Sequence, residues 1–424
     1  MAAILLLSLV MAGCYTKLPA QEEHVSDRDV AMPTEQTSME EVVESPAPEQ
    51  PSVESTMKPN GIFQRDNISG IFSDVGVYPT ENGFYSLSYG MLNYYDLDQQ
   101  ASFRACPLAG CSHRDETCPA KIPGMKSFFA VEGDWYALCE NDTGVSLVKI
   151  QPSDGEKNII SAWDNTEAAY YSVGSGLYAS NRIYVTLWVW DPEVENYRNS
   201  IDCVNLETGV ITTIAECNEW GSGNLIGASE HYVLLDWTSY DEPLQTQEEY
   251  LDSHPGQTED GFFSYVDSFH SKHASHVFRR YALETMEYTD LEEMKQAAVF
   301  TDPNCCFGNW TLYLQNETAC LLDMETLERR ELVTDPYLIN GWLMDGRFFY
   351  LREDREHNGS LQEYAFDLVT GETALVGDFG DGEAITFSAH SETKTAFIGL
   401  YEGKHAWISK ENFYAGRFDQ VVLY

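Results

Sequence analysis

The chain has 424 residues, of which 68 are acidic and 25 basic, so its formal net charge at pH 7 is −43. Phosphate groups would be repelled by such a surface, which argues against nucleic acid as a partner. Direct docking on anionic lipid headgroups is disfavoured for the same reason. A strongly acidic, self-repelling surface is typical of a soluble domain.

The first fourteen residues form a short apolar run that ends in a cysteine. The run is too short to cross a bilayer, which takes about 20 residues, but it has the length of a signal-peptide core. Ala12 and Gly13 precede Cys14, as small residues do in the lipobox of bacterial lipoproteins. The sequence predicts a signal peptide over 1–14 and an extracytoplasmic protein held at the cell membrane by a lipid on Cys14. The alternative is a buried N-terminal helix with a chance cysteine.

Residues 15–60 are rich in Glu, Pro, Ser and Thr and contain no aromatic residue after Tyr15. Such a segment cannot bury enough apolar area to offset its ordering entropy, so we expect it to be disordered. Mutual repulsion between its acidic residues would extend it. The segment is therefore interpreted as an acidic linker between the lipid anchor and a folded domain at 61–424.

Degenerate copies of one turn organise residues 61–424. The clearest copies are Asn205-Leu206-Glu207-Thr208-Gly209 and Asp367-Leu368-Val369-Thr370-Gly371, and weaker copies begin at positions 96, 151, 282, 323 and 409. Glycine supplies a positive φ at the end of the turn, and the Asp or Thr side chains bond the local backbone. The flanking segments are rich in β-branched and aromatic residues, so each copy predicts a β-hairpin.

The spacing of these turns predicts the architecture. Three successive gaps are 41 residues (282 to 323), 44 residues (323 to 367) and 42 residues (367 to 409). This period is that of a four-stranded propeller blade. The other gaps, of 55, 54 and 77 residues, each contain an insertion. The sequence thus predicts an all-β fold, a β-propeller of seven four-stranded blades, whose radial closure protects the strand edges. A sandwich, or two unrelated β domains with chance turns, is the alternative.

The first insertion carries three thiols and one imidazole within thirteen residues: Cys106, Cys111, His113 and Cys118. These are the donor types of a tetrahedral structural zinc site, and Gly110 allows the loop to fold sharply. A disulfide between two of the three cysteines is the other interpretation, since exported proteins form disulfides readily. Either linkage would be structural and would staple the first blade to the second.

With the lipobox, the acidic linker and Tyr94-Tyr95-Asp96-Leu97 at the end of the first blade, this Cys-x4-Cys-x-His-x4-Cys loop is a recognisable combination. The chain resembles uncharacterised propeller-type surface lipoproteins of anaerobic Gram-positive bacteria. The resemblance implies a surface location and a propeller fold. It implies no established activity and therefore assigns no catalytic residues.

The longest insertion, from Tyr240 to Ser275, is the candidate contact surface for a ligand. It contains five aromatic residues that could bind one: Tyr250, Phe262, Phe263, Tyr265 and Phe269. The alternative is that these rings form a small local core beneath the insertion. His270, His273 and His276 follow, but on a helix they would not all face one way, so they are poor candidates for a shared metal ion.

Signatures of enzymes are missing from the sequence, including the Gly-x-Ser-x-Gly elbow, the His-Glu-x-x-His pair and a phosphate-binding glycine loop. The leading hypothesis is a binding or scaffold module for an unidentified extracellular ligand, which could be a carbohydrate, a peptide or a protein. The alternative is a carbohydrate-active hydrolase or lyase that uses carboxylates at the propeller channel. Convergent carboxylates, one with a raised pKa, would favour the enzyme, whereas an aromatic channel mouth would favour binding.

Replacement of Cys14 tests the predicted anchor. Only the thiol accepts the diacylglycerol, so the Cys14→Ala variant is expected to lose a metabolically incorporated fatty-acid label and to leave the membrane fraction. Equal labelling of the variant and the wild type would contradict lipidation.

Overall fold

The computed structural model describes most of the chain beyond residue 76, within one compact unit that spans Met57–Tyr424. The described ranges are 77–88, 90–131, 133–191, 196–218, 220–294, 297–300, 305–354, 360–378 and 387–424. The predicted signal peptide at 1–14, the lipidated Cys14 and the linker at 15–60 lie outside the described residues.

Strands dominate these residues and fall into seven sheets, or blades. Blade 1 contains β1 (Val77–Pro79), β2 (Gly83–Ser88), β3 (Met91–Asp96) and β4 (Ala101–Arg104). Blade 2 contains β5 (Met125–Val131), β6 (Asp134–Asn141), β7 (Gly144–Ile150) and β8 (Lys157–Asp164). Blade 3 contains β9 (Tyr170–Ala179), β10 (Arg182–Asp191), β11 (Asn196–Asn205) and β12 (Ile211–Glu216). Blade 4 contains β13 (Gly221–Ala228), β14 (Tyr232–Tyr240), β15 (Ala274–Ala282) and β16 (Tyr288–Leu291).

The remaining three blades follow the same order. Blade 5 contains β17 (Ala298–Val299), β18 (Cys306–Phe307), β19 (Trp310–Gln315), β20 (Thr318–Asp323) and β21 (Arg329–Thr334), with β17 and β18 both paired to β19. Blade 6 contains β22 (Leu338–Met344), β23 (Arg347–Asp354), β24 (Ser360–Asp367) and β25 (Thr373–Asp378). Blade 7 contains β26 (Phe387–Glu392), β27 (Ala396–Tyr401), β28 (Lys404–Ser409) and β29 (Val422–Leu423).

Every blade is antiparallel, with its strands in sequence order. First strands of neighbouring blades contact each other, as β9 does β13 and β1 does β26, whereas fourth strands such as β4 and β25 are mostly exposed. The first strand of each blade is therefore innermost and the fourth outermost. The predicted propeller of seven four-stranded blades is confirmed, with an inner strand in blade 5 that is split in two.

The recurring turn joins the third strand of a blade to the fourth. Its first side chain fixes it: Asp367 Oδ1 accepts hydrogen bonds from the backbone N–H groups of Val369 and Thr370, both at 2.9 Å. The fifth position has a positive φ in six blades and is glycine in only three of them. These fifth residues are Gln100, Gly155, Gly209, Met286, Leu327 and Gly371. In blade 7, a short helix replaces the turn after Ser409.

Apolar cores lie between the blades and are reinforced by hydrogen bonds from one sheet to the next. The Trp163 indole of blade 2 donates to Asp202 Oδ2 of blade 3 at 2.7 Å, and both side chains are buried. Between blades 6 and 7, the Lys410 ammonium lies 2.6 Å from Glu392 Oε2 and 2.9 Å from Asp345 Oδ1. These links fix the angle between adjacent sheets.

The ring closes by packing between blades 7 and 1. Since each blade is continuous in sequence, no strand is exchanged between the described parts of these two blades. The C-terminal Tyr424 instead places its ring 4.6 Å from that of Phe84 and 5.4 Å from that of Tyr95. Trp407 and Ile398 of blade 7 complete this shared core.

The alternating strand directions give the propeller two unlike ends. Connections from a first to a second strand span only two or three residues, and they share one end with the recurring turns. We call it the turn end. Connections between blades, and those from second to third strands, lie at the opposite end, the loop end. Both the cysteine loop (105–124) and the long insertion (241–273) belong to the loop end.

Helices are few. The insertion holds α1 (Gln247–Ser253) and α2 (Glu259–His273), and α3 (Lys410–Tyr414) lies in blade 7. Short 3-10 turns occur at Glu292–Met294 and Phe418–Gln420. A capping box between Thr246 and Glu249 starts α1. Among the described residues, no helix combines the length and apolarity needed to cross a bilayer.

Two turn glycines allow conformational strain to be separated from packing. Gly371 and Gly209 both have positive φ, but a Cβ would meet nothing within 4 Å at Gly371 and would lie 2.5 Å from the Ile160 carbonyl oxygen at Gly209. We expect Gly371→Ala to lower the free energy of unfolding by about 1 kcal/mol, the cost of the left-handed conformation. Gly209→Ala should lower the free energy of unfolding clearly more, because its Cβ would also clash with the Ile160 carbonyl oxygen of blade 2.

Denaturant unfolding measures both changes, and Val369→Ala, at an exposed position of the same turn as Gly371, is the control. Equal destabilisation by the two glycine substitutions would show that the contact between blades 2 and 3 is not tight.

Candidate functional site

The structure brings the four predicted metal donors together. The sulfur atoms of Cys106, Cys111 and Cys118 and a ring nitrogen of His113 all lie within 4.8 Å of one another. His113 Nδ1 is 3.4 Å from Cys118 Sγ. It is the one such cluster of His, Cys, Asp and Glu found in the described part of the chain. Three thiols and an imidazole in this arrangement could bind a metal ion.

Local backbone conformation makes the cluster possible. Gly110 (φ 74°) and His113 (φ 58°) both adopt the left-handed conformation, which reverses the chain on either side of Cys111. Short backbone hydrogen bonds close the two halves, from Cys111 N to the Leu108 carbonyl and from Cys118 N to the Asp115 carbonyl, each 3.3 Å. The donors therefore converge within one loop, although no two lie on the same regular element.

The loop is attached to both neighbouring blades. Its return segment pairs with blade 1, where Leu92 N donates to the Ala120 carbonyl at 2.8 Å. From blade 2, the Lys157 ammonium donates to the carbonyls of Cys118 (2.9 Å), Lys121 (3.0 Å) and Glu116. Cys118 itself is fully buried in the core shared by the first three blades. The cluster thus lies at the junction of blades 1 and 2, as the sequence predicts.

Glycine is required where the loop meets blade 2. A Cβ at Gly155, in the turn between β7 and β8, would lie 2.3 Å from the Thr117 carbonyl oxygen. Gly155 therefore serves both the turn and the close approach of the loop. The role of Lys157 could not be found from the sequence, because it lies 39 residues from Cys118 and its position depends on the blade.

The thiols differ in their electrostatic surroundings. Burial raises the pKa of Cys106 to about 11. A hydrogen bond from the backbone N–H of His113 lowers the pKa of Cys111. Of these two half-buried thiols, Cys111 is therefore the more easily deprotonated.

No disulfide joins the cysteines of the described residues. Outside the loop, Cys139, Cys203, Cys217, Cys305, Cys306 and Cys320 are all buried. Burial raises the pKa of Cys203 to about 11 and that of Cys306 to about 12, so these two thiols stay protonated near neutral pH. They pack as small apolar side chains.

The five aromatic residues of the insertion pack mainly against one another between α1 and α2. Tyr250 stacks on Tyr265 with ring centroids 4.8 Å apart, and Tyr265 lies 5.7 Å from Phe269. Tyr250 and Phe269 are buried, while Phe262, Phe263 and Tyr265 are partly buried. This is the arrangement that the local-core alternative describes. Ligand binding by these five residues stays a prediction.

The three histidines at the end of the insertion have separate partners. His273 Nδ1 lies 2.8 Å from Asp241 Oδ1, and His276 Nδ1 lies 3.1 Å from Thr238 Oγ1. The His270 ring contacts the hydroxyl of Tyr240 at 3.3 Å. They fasten the base of the insertion to β14 and do not converge on one point.

One carboxyl group of the described residues has a raised pKa. Burial of Glu363, on β24, raises its pKa to about 8. It pairs across the sheet with Leu351 and Gly377, and Leu351 packs against the core between blades 6 and 7. Glu363 therefore faces an interblade core and not the channel, so it does not resemble the acid of a glycosidase pair.

No family model and no curated protein matches the chain. Among solved structures, it is similar to an oligogalacturonate lyase in complex with manganese, with 12% identity, 82% of this chain and 97% of that chain covered, and a TM-score of 0.47. It is also similar to TolB from Acinetobacter baumannii, with 11% identity, 80% and 76% covered, and a TM-score of 0.35. The tricorn protease gives 9% identity, 82% and 33% covered, and a TM-score of 0.45. The activities in these names belong to those proteins.

The buried Glu363 makes stability depend on pH. Its pKa is higher in the folded than in the unfolded chain, so the folded state is favoured by protonation and loses stability as pH rises from about 4.5 to about 8. Glu363→Gln mimics the neutral acid. At pH 8 we expect this variant to be more stable than the wild type by on the order of 2 kcal/mol, with a smaller difference at pH 5.

Urea unfolding at both pH values measures the effect, and Glu372→Gln, which removes an exposed carboxyl in the same blade, is the control. An unchanged pH dependence in Glu363→Gln would show that the carboxyl is solvated in solution.

Proposed function

We propose that this chain is a cell-surface binding module, tethered by a lipid on Cys14 and by the acidic linker 15–60, whose propeller presents an extracellular ligand site at its loop end. The observation that supports this proposal is that the two ends of the propeller differ. Short connections occupy the turn end, with the recurring turn in six blades and a short helix in blade 7, while the cysteine loop and the helical insertion both lie at the loop end. Binding residues usually lie on such loops, held by a rigid scaffold.

The surroundings of Glu363 favour binding over hydrolysis. The carboxyl with a raised pKa is buried against the core between blades 6 and 7, which a polysaccharide cannot reach. The insertion, in contrast, is an ordered element, with a capped helix, an aromatic core and histidine hydrogen bonds at its base. A rigid insertion of this kind lowers the ordering cost of binding.

For the cysteine cluster we propose one structural zinc ion. Zinc bonds of about 2.3 Å to sulfur and about 2.0–2.1 Å to nitrogen, at a tetrahedral angle, separate the two atoms by about 3.5 Å. The 3.4 Å between His113 Nδ1 and Cys118 Sγ fits that edge. Four protein donors fill a tetrahedral shell, so this site would be structural, with no position left open for a substrate.

Charge balance supports the same assignment. Three thiolates around a divalent cation leave one net negative charge, and Lys157 brings its ammonium to the Cys118 carbonyl from blade 2. The metal would then tie blade 1 and blade 2 through a single loop. Lys157 acts here as a positioning residue, since it holds the loop and donates no ligand.

Metal analysis tests the zinc. Protein purified under reducing conditions should carry about one zinc per chain, and His113→Ala should lower that content. Chelation should open the loop to trypsin at Arg114 and Lys121, because folding of the loop is coupled to the metal. Absence of metal with one free thiol among the three cysteines would instead establish the disulfide.

Replacement of the insertion tests the binding function. Since Tyr240 pairs directly with Ala274, residues 241–273 can be replaced by an Asn-Gly turn that keeps the hairpin. The wild type is screened on arrays of glycans and peptides, and the hit is measured again with the variant. We expect binding to fall at least about tenfold.

Val369→Arg, at the turn end, is the matched control and should bind as the wild type does. If the control lost binding while the insertion variant bound fully, the ligand site would lie at the turn end, which would contradict the proposal. Release of cleaved oligosaccharides from a glycan hit would establish the hydrolase or lyase alternative.

A further inference from the structure

Beside the insertion, four large aromatic side chains gather at the loop end of blades 3 and 4. They are Tyr170, Trp188, Trp190 and Trp220. Tyr170 begins the innermost strand of blade 3, and Trp220 directly precedes the innermost strand of blade 4. Because β9 and β13 contact each other and start at the same end, both residues lie at the loop end of adjacent innermost strands, beside the mouth of the channel.

Three of the four share one face of blade 3. Tyr170 pairs across the sheet with Trp190, and Ser172 pairs with Trp188. Side chains alternate along β10, so both tryptophans lie on the same face as Tyr184, which belongs to the core shared with blade 4. Trp188 lies so close over Gly174 that a Cβ there would be 2.8 Å from the indole nitrogen.

The two outermost rings are solvent-exposed but held on fixed backbone. Tyr170 is 47% exposed and Trp220 is 51% exposed. Trp220 belongs to a tight turn in which its N–H donates to Asn218 Oδ1 at 2.9 Å, and its carbonyl accepts from Tyr240 N at 3.0 Å. Beside Tyr170, Asn165 Oδ1 accepts from Tyr171 N at 2.8 Å. Rings on fixed turns lose little conformational entropy when they bind.

Exposed apolar side chains elsewhere in the described residues have a different distribution. Most lie on outermost strands or in turns, such as Ile159, Val210 and Leu375. Near the innermost strands the exposed large apolar residues are Tyr170, Trp220 and Ile339. The exposed large apolar side chains near the described innermost strands are thus mainly aromatic rings, with Ile339 as the one aliphatic member.

We infer that this aromatic mouth, Tyr170, Trp188, Trp190 and Trp220, is a subsite for a neutral carbohydrate; the inference rests on the proposed binding function and names its ligand class. The C–H faces of a pyranose ring stack on aromatic rings, and its hydroxyl groups bond to amides such as that of Asn218. Tyr170 and Trp190 are cross-strand neighbours on one face of blade 3, which places two aromatic surfaces side by side.

Charge selects against acidic sugars. Exposed Glu167 lies three residues before Tyr170, and exposed Asp241, whose carboxylate is 2.8 Å from His273 Nδ1, follows the Tyr240 that bonds to the Trp220 carbonyl. Among the basic residues of adjoining segments, Lys272 lies beside that His273, and Arg198 pairs across the sheet with Val189 and so lies on the face opposite to the two tryptophans. A uronate carboxylate would meet repulsion there in a chain whose net charge is −43. A neutral glucan, xylan or mannan avoids that repulsion.

Affinity electrophoresis and calorimetry of the full chain on soluble β-glucan, xylan, mannan and polygalacturonate test the inference. The wild type should bind at least one neutral polymer and should not be retarded by polygalacturonate. Trp220→Ala and Tyr170→Ala should each weaken binding to the neutral polymer at least about tenfold. Phe103→Ala, at a 46% exposed ring on the outermost strand of blade 1, should bind as the wild type does.

The thermal melt of each variant, followed by circular dichroism, must match that of the wild type. Trp220→Phe keeps a ring at this exposed turn and should therefore restore most of the affinity that Trp220→Ala loses. Three results would overturn the inference: no neutral polymer binds, polygalacturonate binds best, or both alanine variants bind normally. If the chain bound peptides through the insertion and bound no glycan, the proposed binding function would be supported and only the carbohydrate inference would be rejected.

Discussion

Burial of both faces of each blade against its neighbours is the constraint on which the rest of the structure depends. A single four-stranded sheet has two largely apolar faces, and only an adjacent blade on each side removes both from water. The requirement makes the ring close, orients all innermost strands alike and separates a loop end from a turn end. The positions of the cysteine loop, the insertion and the aromatic mouth follow from that polarity.

Much of the fold could be predicted because its repeating unit has a local cause. The turn needs a side-chain acceptor at its first position and a left-handed residue at its fifth. The sequence reveals it where the fifth residue is glycine, as at Gly209 and Gly371. In blades 4 and 5 the same backbone carries Met286 and Leu327. Those copies are readable only from the residues before that position, as in Asp323-Met324-Glu325-Thr326, and from their spacing, since a large side chain in a left-handed conformation carries no signal of its own.

The metal donors were predictable for the same reason, because all four lie in one short segment. What holds that segment could not be predicted. Lys157 reaches it from the outer strand of the next blade, and Gly155 matters because two backbones approach each other there. For the aromatic residues of the insertion, sequence alone could not decide between surface and core, since the answer depends on how α1 packs on α2. Tyr170 and Trp220 were missed because strand direction, not local sequence, brings them together.

The closure of the ring by the rings of Tyr424, Phe84 and Tyr95 has a mechanical consequence. Where a propeller shares a strand between its first and last blades, tension on either terminus is borne by the whole sheet. Between the described parts of blades 7 and 1 the contact is made by side chains, and β29 pairs with β28 over only two residues. Tension on Tyr424 is therefore resisted by this two-residue ladder and by the packing of its ring on Phe84 and Tyr95. Withdrawal of the ring would open the core between blades 7 and 1 while the other interblade cores keep their packing.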